Sequence, residues 1–166
     1  MDRQQKRIAL TAEHLPYEIE MLYHTAVRLF AAGVPTVPDA VTRCALIESF
    51  ALHLRVLVDF LWNDRRGQPE DALAGDFFPD GEWRALRPPK PSSLTAAAKK
   101  AGMQVAHLSY NRIPLTPDQK GWRGSLLCDI APALRAFVDH VPREDVSTDF
   151  VPRMEAVLNR IPPTAS

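Results

Sequence analysis

Glu48, Arg55 and Asp59 are the first residues in this chain whose types and spacing could do chemistry. They lie within the run Ala45–Trp62, ALIESFALHLRVLVDFLW, and at 3.6 residues per turn they share one stripe of a helix whose other stripes are apolar. Charges so placed must be paired or wet. One reading is a set of ion pairs, with Arg55 bound to Asp59 inside the helix and Glu48 bound to a base on a neighbour. The other is an acid and a base facing a cleft. The ion-pair reading is preferred, because structural charge networks perturb pKa values as much as sites do.

The histidines are the second set: His14, His24, His53, His107 and His140. They form no H-x-x-x-H, H-E-x-x-H or E-x-x-H pattern, and Glu20 and His24, four apart, make an ordinary helix-surface pair. No metal and no cofactor are expected. Gly-rich phosphate loops, G-x-S-x-G and C-x-x-C are also missing, which removes the usual support for kinase, hydrolase and redox chemistry. Lys and Arg total 20 against 20 Asp and Glu, so no global charge draws the chain to nucleic acid or anionic lipid. Cys44 and Cys128 lack ligand spacing and are expected as reduced, buried thiols of a cytoplasmic protein. The apolar run Ile8–Leu10 is too short for a signal peptide, and charges interrupt Ala45–Trp62, so no membrane span is expected.

The third set is the stretch from Lys99 to Arg112, KKAGMQVAHLSYNR. A helix runs into a basic residue, then His107 and Tyr110. A segment starting at Trp122 follows and carries Ile130, Pro132 and Leu134 as I-x-P-x-L. This order, over roughly Ser92 to Val141, resembles the second half of HEPN domains. The resemblance implies a small all-helical protein in which a base and a histidine form a metal-independent ribonuclease site across a homodimer. Here that would make His107 the general acid/base on a ribose 2′-hydroxyl, with Lys100 or Arg112 holding the phosphate. The family's active members use arginine where this chain offers Lys99, Lys100 and Gly102, and an ammonium does not reproduce the planar fork of a guanidinium. A seven-residue offset in an unbroken helix is also about 10 Å of rise, unless Gly102 breaks it. The leading expectation is therefore a HEPN-like protein that works by binding or dimerisation, with protein or RNA as partner. Glu48, Arg55, Asp59 and Tyr110 are its candidate contact residues. The alternative is a ribonuclease of the toxin or phage-defence type using His107, Lys100 and Arg112. A more distant reading is an enzyme with a pocket between the central helix and the loop Phe77–Trp83.

The elements that must position these residues follow from periodicity. One domain over residues 1–166 is expected, all-α, a four-helix bundle with a long aromatic loop after the second helix and an extra C-terminal helix. A first helix spans Pro16–Ala32, and Ala45–Trp62 forms the central helix, with Asp39 near its start. Two apolar stripes on that helix, one through Phe50, Leu54 and Leu57 and one through Ser49, His53, Val56 and Phe60, predict neighbours on at least two sides. The following loop is expected to hold a helical turn near Glu70–Ala74 and to pack through Phe77, Phe78 and Trp83. A third helix begins at a Ser92 or Ser93 cap and ends near His107 or Tyr110. A fourth follows Thr116-Pro117-Asp118, carries Pro132 and ends at Pro142. A fifth follows a Ser147 or Thr148 cap and reaches Ile161.

Overall fold

A computed structural model describes residues 1–32, 39–106, 110, 116 and 121–162. Every regular element among them is helical, as expected. Helix α1 (Arg3–Ala9) opens on a reciprocal cap: Asp2 Oδ1 accepts from the Gln5 amide at 2.8 Å, and the Gln5 side chain accepts from the Asp2 amide at 3.1 Å. A π-helical turn, Leu10–His14, leads directly into α2 (Leu15–Phe30), so the helix predicted from Pro16 has an earlier, polar extension. Its sequence carries too few apolar residues to show a period.

The central helix α3 (Ala40–Trp62) starts five residues before the apolar run. Asp39 caps it, accepting from the Thr42 amide at 2.8 Å. Phe50, Leu54, Leu57 and Leu61 are wholly buried. After α3 the chain makes a 3₁₀ turn at Ala74–Phe77, slightly later than expected, and a short helix α4 (Glu82–Leu86). Gly81 precedes α4 at φ +81°, the left-handed region glycine adopts without strain. Phe77, Phe78 and Trp83 are buried, and the Trp83 indole donates to the Leu61 carbonyl at 2.8 Å, which fastens the loop to the end of α3.

Helix α5 (Ser92–Ala101) presents Leu94, Ala97 and Ala101 inward and passes into a π-helical turn at Gly102–Ala106. Its cap differs from the expectation. Pro91 occupies the cap position, while Ser93 lies inside the first turn and donates to Asp129 at 2.7 Å, joining α5 to the next helix. That helix, α6 (Ser125–His140), contains Pro132 and begins three residues after Trp122. Pro117 and Asp118 lie outside the described residues, but Gly121 to Gly124 are not helical, so this helix starts later than the expected start after Thr116-Pro117-Asp118. Helix α7 (Phe150–Leu158) is preceded by Asp149, not capped by Ser147, because Ser147 is engaged elsewhere. Its amide donates to Thr11 Oγ1 at 3.0 Å, and its hydroxyl donates to the Thr11 carbonyl at 3.2 Å.

Helices α2, α3, α5 and α6 contact one another in a ring, with α7 laid against α2 and α6. Among the described residues no helix is long and apolar enough to cross a membrane.

Candidate interaction surface

Arg55 and Asp59, one turn apart on α3, are 3.6 Å apart and partly exposed, as the ion-pair reading expects. Glu48 is exposed and has no ion pair among the described residues. Tyr110 is 90% exposed. His107 and Arg112 lie outside the described residues. Lys100 is already engaged: its ammonium donates to the Gly121 carbonyl and lies 4.8 Å from the centre of the Trp122 ring. Partial burial, with Arg123 nearby, holds the Lys100 pKa below the ordinary lysine value.

The polar pair that the spacing of residues did not reveal joins α2 to α3. His53 is buried, and its Nδ1 lies 2.7 Å from Glu18 Oε2, with the edge of the Tyr17 ring packed on the imidazole at 5.4 Å between centres. A carboxylate only accepts, so Nδ1 carries the hydrogen and donates. No third polar group bonds the ring among the described residues. The pair cross-links two helices. Glu18 and His53 are 35 positions apart, and no local pattern connects them.

Around that pair the outer side of α3 is uncovered. Val41, Ala45, Ser49, Leu52 and Val56 follow one another at spacings of four, four, three and four. Val41 is 80% exposed, Leu52 49% and Val56 40%, while Tyr17 of α2, beside them, is 50% exposed. The two-stripe reading of α3 is corrected here: His53 and Phe60 are buried, but Val56 is exposed. The helix ring encloses α3 from the sides of Phe50, Leu54 and Leu57 and leaves the opposite face to solvent. Cys44 is also exposed, since the first turns of α3 project beyond its neighbours; Cys128 is half-buried, and both are free thiols.

A cleft of about 490 Å³ lies between α1 and the aromatic loop, and no residue of α3 lines it. Several of the charges at its rim are paired, while Arg7 Nε is buried without a hydrogen-bond partner among the described residues. Arg7 bonds Asp145 at 2.7 Å, Arg66 bonds Asp76, and Lys6 lies 4.0 Å from Glu70. No group of three His, Cys, Asp or Glu side chains suited to a metal occurs among the described residues. Compared with known proteins, the chain matches no family model, no curated protein and no solved structure.

Proposed function

We propose that this chain is a HEPN-like helical protein of the cytoplasm that works by association and not by catalysis, through the outer face of α3. One observation carries the reading: Val41, Ala45, Leu52 and Val56 lie exposed on one side of the central helix over about four turns, interrupted by the half-buried Ser49. Scattered apolar side chains on a surface mean little, but a row at helical spacing marks a contact site. The charges beside it, Glu48, Arg55 and Asp59, form the polar rim such a surface needs. The engagement of Lys100 by Gly121 and Trp122 supports the same reading, because that ammonium would have to leave two contacts to hold a phosphate.

The test is incubation of wild type and His107→Ala with a mixed pool of labelled RNAs, without added metal and with EDTA. No cleavage by either protein is expected. Cleavage by wild type that His107→Ala abolishes would overturn the reading and make the chain a metal-independent ribonuclease.

A further inference from the structure

The cleft between α1 and the aromatic loop has the size of a small-molecule site and an unequal supply of hydrogen-bond donors and acceptors. Arg3, Lys6 and Arg7 of α1 line one wall at spacings of three and four, so three like charges share a helix face and repel one another. Among the described residues Arg3 has no ion pair, and Lys6 lies at 4.0 Å from a Glu70 side chain that is 90% exposed. Arg7 reaches deeper. Its Nη1 donates to the Asp76 carbonyl at 3.2 Å and its Nη2 to Asp145 Oδ1 at 2.7 Å, which engages two of five N–H groups. Its Nε is buried with no acceptor among the described residues, and a buried donor left unpaired is costly.

The acceptors of the facing wall are already in use. Asp76 accepts from Arg66 through Oδ1 and from the Leu73 amide at 2.8 Å through Oδ2. Asp71 accepts from Arg66 Nε at its carbonyl and from the Gln68 amide at its carboxylate, at 2.8 and 2.7 Å. Glu70 and Asp80 are exposed to water at the mouth. What the cleft lacks is therefore an acceptor, and Leu10, Phe77 and Phe78 give it an apolar floor. Four basic and four acidic residues line it, so a second negative charge on a ligand meets the loop carboxylates without a surplus of cations to offset them.

We propose that this cleft binds a small organic carboxylate, its single charge held by Arg7 with Arg3 and Lys6, and its apolar body laid against Leu10, Phe77 and Phe78. A guanidinium suits that head group, because its planar fork matches a carboxylate. The site is separate from the α3 face, since no residue of α3 lines it.

Titration of the full chain with 3-phenylpropionate, followed by the amide NMR shifts of Gly75, Phe77 and Phe78, tests the proposal. Saturation is expected at about millimolar concentration. Acetate, which has the head group alone, should bind about tenfold more weakly or worse, and phenethylamine should not saturate. Arg3→Glu and Lys6→Gln should each weaken binding about threefold or more, with unchanged melting curves, because both side chains are exposed and a carboxylate in the first turn of α1 suits the helix dipole. Arg7→Lys keeps the charge without the fork and should weaken it about tenfold. Arg28→Gln, an exposed cation of α2 outside the cleft, should leave it unchanged. The proposal is overturned if 3-phenylpropionate does not saturate, if phenethylamine or the dianion phenyl phosphate binds as well, or if Arg3→Glu and Lys6→Gln bind like wild type.

Discussion

Glu20 on α2 accepts from Arg153 of α7 through both oxygens, at 2.6 and 2.7 Å. The guanidinium holds the Glu20 carboxyl below the ordinary glutamate value of 4.5 and raises the Arg153 pKa in turn. With the folded pKa below the unfolded one, the stabilisation is complete above the unfolded value and is lost as pH falls through the folded one. Both groups are partly exposed, so Glu20→Gln should cost about 1 kcal/mol or less at neutral pH. The difference from wild type should shrink well below pH 4.5, where both proteins lack the charge. Urea denaturation at neutral and acid pH measures it; an unchanged difference would mean that the pair contributes by packing alone. In the sequence Glu20 pairs most simply with His24, four residues on. Its actual partner is 133 positions away and visible only after α7 docks.

At the scale of elements, the approach of α6 to α2 depends on Gly124. A Cβ there would stand 2.7 Å from Phe30 Cβ and 3.0 Å from its Cγ, the rigid base of the side chain and not a movable tip. Gly124 has φ −64°, so space and not backbone freedom demands glycine. Phe30 in turn packs edge-on against Phe50 at 5.4 Å, and Phe50 against Trp122 at 6.1 Å. Gly124→Ala should therefore push the start of α6 from α2 and cost about 1–3 kcal/mol. Trp122, two residues away, reports the shift: a lower melting temperature should come with changed tryptophan emission, and unchanged values in both would refute the close approach. Helix termini show the same dependence on neighbours. Ser93 and Ser147 have the right residue type to cap, yet each spends its hydroxyl on another helix or turn.

For the molecule as a whole, Phe137 of α6 joins loop to helices. Phe60, Phe77, Phe78, Trp83 and Phe150 surround its ring at centre distances of 5.3, 5.3, 5.8, 5.7 and 6.3 Å. These rings come from α3, the aromatic loop, α4 and α7, so one side chain holds four parts of the chain together. Phe137→Ala should cost about 3–5 kcal/mol. It should also free the loop first, so limited proteolysis near residues 65–80 ought to accelerate before the helices melt. Simultaneous loss of loop and helices would show one cooperative unit instead.

The all-helical class, the central position of α3, the Asp39 cap, the Arg55–Asp59 pair and the burial of Phe77, Phe78 and Trp83 were all determined by sequence alone, because each depends on residue type, helical period or a partner within one turn. Tertiary structure decided what those rules cannot reach. It paired His53 with Glu18 and Glu20 with Arg153, drew Ser93 and Ser147 away from their helix ends, and left Val56 exposed on a stripe that reads as core. The physical reason is common to these cases. An apolar or polar side chain has the same local pattern whether a neighbour covers it or water does, and only the packing of distant segments makes the choice.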